Sequence, residues 1–196
     1  MVRNRVLALA AVLSVLVASP ALAQRAGDII GGVSGGATVG DLFGGSVNTD
    51  SRWGGTAGLF AGWRTFRNSV VALEANWVQK GGKGIRLDYI EIPLLVGGVV
   101  PAYGGDLRLR GYIGIDLAFK IGCESEVALL DCDRAESTEW SMPFGVMAGR
   151  WLDSGRFIAL DVRYALGLSD AFETSIPYNR SWQFRLLIGG PLRGTR

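Results

Sequence analysis

Apolar and polar side chains alternate along much of this chain with a period of two. Between Leu107 and Phe119, the residues Leu107, Leu109, Gly111, Ile113, Ile115, Leu117 and Phe119 fall on one side. Arg108, Arg110, Tyr112, Gly114, Asp116 and Ala118 fall on the other. The pattern returns from Arg156 to Leu168, where Ile158, Leu160, Val162, Tyr164, Leu166 and Leu168 oppose Asp161 and Arg163. Val71, Leu73, Ala75 and Trp77 oppose Glu74 and Asn76, and Trp182, Phe184, Leu186 and Ile188 oppose Gln183 and Arg185. A period of two is that of a β-strand, whose successive side chains point to opposite faces.

Weaker examples extend the series to about eight strands, at roughly 28–39, 53–64, 69–79, 85–98, 106–120, 139–150, 156–168 and 180–191. Most match or slightly exceed the roughly 9–11 residues that cross a bilayer at a tilt. The gaps 40–52, 80–84, 121–138 and 169–179 alternate with the mostly shorter 65–68, 99–105 and 151–155. Transmembrane barrels have short periplasmic turns and longer outside loops, so the first set is assigned to the outside and both termini to the periplasm. Aromatic residues cluster at the strand ends. Trp53, Trp77, Phe119, Trp140, Tyr178 and Trp182 are expected at the outer rim, and Trp63, Phe66, Tyr103 and Trp151 at the inner one. The expected fold is all-β, a single up-and-down antiparallel transmembrane β-barrel of about eight strands.

Alternation alone leaves the face open, because a soluble barrel that binds an apolar ligand shows the same pattern inside out. Here the polar face carries both signs of charge at mid-strand, which suits a narrow lumen where inward charges pair. The residues assigned to that lumen network are Glu74, Glu91, Arg108, Arg110, Asp116, Asp161, Arg163 and Arg185. An unpaired charge there would cost several kcal/mol.

The N-terminus has the form of a secretory signal. Arg3 and Arg5 precede the apolar run Val6 to Ala18, and Ala21-Leu22-Ala23 supplies an Ala-x-Ala site. That run is shorter than the roughly 20 residues of a spanning helix. Residues 1–23 are therefore expected to be removed, leaving the barrel in 24–196. The whole chain has 20 basic and 18 acidic residues; Arg3 and Arg5 account for the excess. A balanced remainder gives no reason to expect a nucleic-acid partner, which would call for a basic excess. Cys123 and Cys132 are the two cysteines, and in an exported chain they are expected to form a disulfide.

The sequence contains no histidine, the usual acid/base near neutral pH. No catalysis, cofactor or metal is expected. Glu124, Glu126, Asp131, Asp133, Glu136 and Glu139 make the segment after Cys123 acidic, but it lacks the EF-hand pattern and reads as a solvated outside loop. Gly31-Gly32-Val33-Ser34-Gly35-Gly36 lacks the Gly-Lys-Ser/Thr ending of a phosphate loop and reads as a strand of small residues.

Leu73-Glu74-Ala75-Asn76-Trp77-Val78-Gln79-Lys80-Gly81, followed by Leu87-Asp88-Tyr89-Ile90-Glu91-Ile92-Pro93-Leu94-Leu95, carries a family resemblance. An aromatic residue near Gln-Lys-Gly at one strand end, then Tyr-x-Glu-x-Pro-Leu-Leu, is similar to the PorT-like outer-membrane β-barrel domain family. The Gly-rich stretch Gly54 to Gly58 is similar too. The resemblance implies an outer-membrane barrel and no particular activity. The chain departs from outer-membrane barrels in general by ending on Arg193 to Arg196 after Leu192, where such barrels usually finish on an aromatic residue. The expected location is the cell outer membrane, with lipid and an envelope or surface protein as partners. The expected role is structural or surface interaction. A narrow pore or transport accessory and a soluble periplasmic apolar-ligand barrel stand as alternatives.

Overall fold

The computed structural model describes residues 29–44, 48–66, 68–102, 107–126, 131–172 and 178–193. The expected signal segment and Tyr103 lie outside the described residues. Eight strands follow in order: β1 (Ile29–Phe43), β2 (Arg52–Phe66), β3 (Ser69–Gly82), β4 (Ile85–Pro101), β5 (Leu107–Ser125), β6 (Thr138–Trp151), β7 (Phe157–Gly167) and β8 (Tyr178–Arg193). Each pairs antiparallel with its neighbours in sequence. β1 also pairs with β8, from Ile29 opposite Arg193 to Phe43 opposite Tyr178, and closes the barrel. Closure leaves no free sheet edge, so the ladder's donors and acceptors are used within the sheet.

All eight expected strands are present, but several run farther toward the longer-loop end. β1 continues to Phe43 and β5 to Ser125, where Ser125 faces Ile85 at the start of β4. Backbone pairing continues there after the apolar alternation fades, because the ladder does not depend on side-chain polarity. Segments 44–51, 83–84, 126–137 and 168–177 join strands at that end, and 67–68, 102–106 and 152–156 at the other. The β3–β4 connection, expected as an outside loop, is a tight hairpin in which Gly82 pairs with Ile85. Gly84 has φ +83°, a left-handed conformation that glycine adopts without strain.

Burial alternates as the sequence pattern requires. Leu160, Val146 and Leu59 are 65%, 64% and 61% exposed on the outer face, whereas Arg163, Glu91 and Gln183 are almost fully buried inside. At mid-strand, the outward positions of all eight strands carry no charged residue among those described. Trp53, Trp140 and Trp182 at one rim and Trp63 and Phe66 at the other are exposed. Trp151 departs from this pattern: it packs on Phe157, with ring centroids 5.5 Å apart, beside the apolar cluster inside the short-turn end.

Closure in so narrow a barrel demands small inward residues opposite long ones. Gly58 faces Asn76 across β2 and β3. A Cβ at Gly58 would stand 2.1 Å from Asn76 Oδ1 and 2.5 Å from the Ala75 carbonyl oxygen. Gly58→Ala is therefore expected to destabilise the barrel by about 1–3 kcal/mol, measured as the urea midpoint in detergent. Gly111→Ala, where a Cβ meets nothing within 4 Å, is the control and should leave the midpoint unchanged.

Candidate functional site

The lumen is the chemically distinctive part of the fold, and its side chains stack in layers along the barrel axis. Even-numbered positions of β3 and odd-numbered positions of β4, β6, β7 and β8 point inward, as the burial alternation shows. That parity brings residues distant in sequence to the same height.

Toward the short-turn end, Glu74 accepts from Arg163 Nη2 and Arg185 Nη1, both at 2.9 Å. Asn76 Nδ2 also donates to Glu74, at 2.9 Å. Arg185 Nη2 reaches Asp161 Oδ2 at 2.6 Å, and the Tyr112 hydroxyl donates to Asp161 Oδ1 at 2.6 Å. Arg163 Nε in turn donates to the Tyr112 oxygen at 3.0 Å. Every carboxylate oxygen of Glu74 and Asp161 thus accepts a hydrogen bond. This matters because an uncompensated buried charge is among the costliest features a fold can carry.

A second polar layer lies nearer the long-loop end. Lys80 Nζ sits 2.6 Å from Glu91 Oε1 and 3.3 Å from Glu139 Oε1, and it lies over the Tyr89 ring at 5.4 Å. Asn179 Nδ2 donates to Glu139 Oε2 at 2.5 Å, Gln183 Nε2 to Glu91 Oε2 at 3.4 Å, and Ser141 Oγ to Asp116 Oδ2 at 3.0 Å.

Of the residues assigned to the lumen from sequence, Glu74, Glu91, Arg110, Asp116, Asp161, Arg163 and Arg185 are buried inside the barrel. Arg108 is half-buried on the same face of β5, nearer the strand's start, with no carboxylate within ion-pair distance among the described residues. Glu139 requires a correction. The sequence pattern groups it with the acidic outside segment, but it is 1% exposed, lies on β6 and pairs with Lys80 in the lumen. Alternation with Ser141 carries that signal, which the surrounding acidic run obscured. Lys80 was likewise not counted, although it continues the inward series Glu74, Asn76, Val78.

Beyond the second layer, Leu42, Ile85, Leu87, Ala118, Ala135, Ala171 and Phe172 form an apolar cluster with Tyr89. This plug at the long-loop end has no counterpart in the sequence reading. Ala135 and Phe172 meet as an isolated β-bridge, and the Glu136 amide donates to the Ala171 carbonyl at 3.0 Å. Lys120 Nζ donates to the carbonyls of Ala135 and Cys132. The disulfide Cys123–Cys132 joins the end of β5 to a 3₁₀ turn at Cys132–Arg134, with Cα atoms 5.7 Å apart. A smaller apolar cluster of Phe60, Phe157, Ala159 and Leu187 lies toward the short-turn side.

No family model matches the chain, and no curated protein matches it in sequence. Solved structures do share its fold. The outer membrane protein OprG from Pseudomonas aeruginosa superposes with a TM-score of 0.54 at 15% identity, covering 89% of this chain and 100% of that one. The outer membrane protein AlkL, solved in DMPC lipid bilayers, gives 0.51 at 13% identity over 91% of this chain and 96% of that one. Neisserial surface protein A gives 0.50 at 13% identity over 84% and 99%. At such identities the likeness is one of fold: a closed, antiparallel, eight-stranded up-and-down β-barrel.

The layers rank the lumen substitutions. Glu74→Ala strands two guanidiniums and should cost about 3–5 kcal/mol of stability. Glu91→Ala should cost less, since Lys80 keeps Glu139; equal losses in detergent unfolding would refute this ranking. The paired change Cys123→Ser with Cys132→Ser should cost roughly 2–3 kcal/mol, as expected for so short a ring. Two free thiols in denatured wild-type protein would refute the bridge.

Proposed function

We propose that this chain is an outer-membrane β-barrel protein, exported on a signal peptide of residues 1–23, with a structural or surface-interaction role in the envelope and no catalytic activity. The observation that carries this reading is the distribution of charge. A continuous outer band of Val33, Leu59, Leu94, Ile115, Val146 and Leu160 is exposed, while charge is sequestered inside. Soluble monomers rarely expose apolar patches beyond a few hundred Å², whereas a lipid-facing barrel wall is apolar and its interior polar. The same distribution speaks against the soluble apolar-ligand barrel, whose aliphatic face would line the cavity.

The lumen also favours a structural role over a pore. Ion-paired layers fill it between two apolar clusters, so a conducting path would have to pass both. Glu74, Glu91, Glu139 and Asp161 are engaged in ion pairs and hydrogen bonds, and the chain has no histidine to serve as an acid/base. The longer loops at one end supply the surface for a protein partner, and outer-membrane lipid surrounds the wall. The PorT-like resemblance is compatible with this, since Lys80 of its Gln-Lys-Gly and Glu91 of its Tyr-x-Glu-x-Pro meet in the lumen.

Membrane fractionation and the gel mobility of boiled and unboiled samples test the proposal. Outer-membrane recovery with a heat-dependent shift is expected, and soluble periplasmic protein without a shift would overturn it. In planar bilayers the purified protein should give no reproducible single-channel steps; their appearance would restore the pore reading.

A further inference from the structure

We propose that the lumen holds a single halide-sized anion against Arg110, in the cavity bordering the Glu74–Arg163–Arg185 cluster. Arg110 is 8% exposed, and its Nε and Nη2 are buried with no hydrogen-bond acceptor among the described residues. Its guanidinium carbon lies 5.4 Å from the centroid of the Tyr112 ring. A guanidinium keeps its proton in proteins, so the charge cannot be relieved by deprotonation.

The carboxylates of this layer are committed elsewhere. Glu74 Oε1 accepts from Arg163, and Oε2 from Arg185 and Asn76. Asp161 Oδ1 accepts from Tyr112, and Oδ2 from Arg185. Among the described residues three guanidiniums therefore share the layer with two carboxylates, and Arg110 is the cation left over. Arg108, two residues along the same face, adds positive potential on the side of the short turns.

The cavity beside Arg110 is bounded by Glu74, Asp161, Tyr112, Arg163 and Arg185 together with apolar side chains such as Phe60 and Leu95, and its volume is about 20 Å³. A single water needs roughly 10–15 Å³, so the cavity has room for about one water-sized guest, and a monatomic halide is nearer that size than a phosphate or sulfate. A water could accept the two N–H groups but would leave the charge uncompensated. A chloride would do both. Glu74 and Asp161 line the same cavity, so the anion would sit on the Arg110 side of it, where the excess positive charge of the layer lies.

Crystals of the wild-type protein soaked in sodium bromide give the direct test, by anomalous scattering at the bromine edge. A peak against the Arg110 guanidinium is expected. No peak there, or peaks only at exposed arginines (an adventitious ion only), would overturn the proposal. In solution, the unfolding midpoint in detergent should rise with chloride or bromide relative to gluconate at equal ionic strength, as for any ligand bound by the native state alone. Arg110→Gln should abolish that halide-specific rise, and a variant that keeps it would count against the site. Should the variant fail to fold, the bromide-soaked wild-type crystals decide the question.

Discussion

Charge pairing across a narrow lumen is the constraint on which the rest of this barrel depends. Glu74 on β3 is held by Arg163 on β7 and Arg185 on β8, and Lys80 on β3 by Glu139 on β6. These pairs span the barrel, linking strands that are not neighbours in the sheet. An eight-stranded barrel is only wide enough for its side chains to fill, so an inward charge that pairs must find its partner at its own height. Removing one partner leaves the other buried in a medium where water cannot compensate.

That demand shapes the wall as well. Long side chains on β3, β7 and β8 reach into the centre, while β1 and β2 turn Ser34, Thr38, Thr56 and Gly58 inward. The division of labour is steric: a guanidinium that crosses the lumen needs a facing strand with little of its own to place there. It also accounts for the intolerance of Gly58 to a Cβ, whose space is already taken by Asn76 and the backbone of β3.

The two ends differ because their connections differ. Tight turns leave the short-turn side to be lined by strand residues such as Phe60 and Phe157. At the other end, the segments that carry Ala135 and Phe172 fold inward, braced by the Cys123–Cys132 bridge and by Lys120. Apolar clusters of this kind near both ends bracket the polar layers among the described residues.

The period-two alternation by itself determined that the chain forms strands, how many there are, and which side chains share a face. These are local properties, set by the pleat of each strand. Most inward charges were legible for the same reason, as was the disulfide, since both cysteines flank one short segment. What alternation cannot convey is height in the closed barrel. Glu74 and Arg185 are separated by 111 positions in the chain, and only the register that closes β1 onto β8 brings them together. An acidic run masks the inward position of Glu139, and Lys80 falls in the expected outside gap 80–84, whereas β3 runs on to Gly82. The apolar plug was invisible because Leu42, Ile85, Ala135 and Phe172 come from separate segments. Closure decided these contacts: a ring of eight strands converts small local registers into one shared set of levels, and no single segment encodes that set.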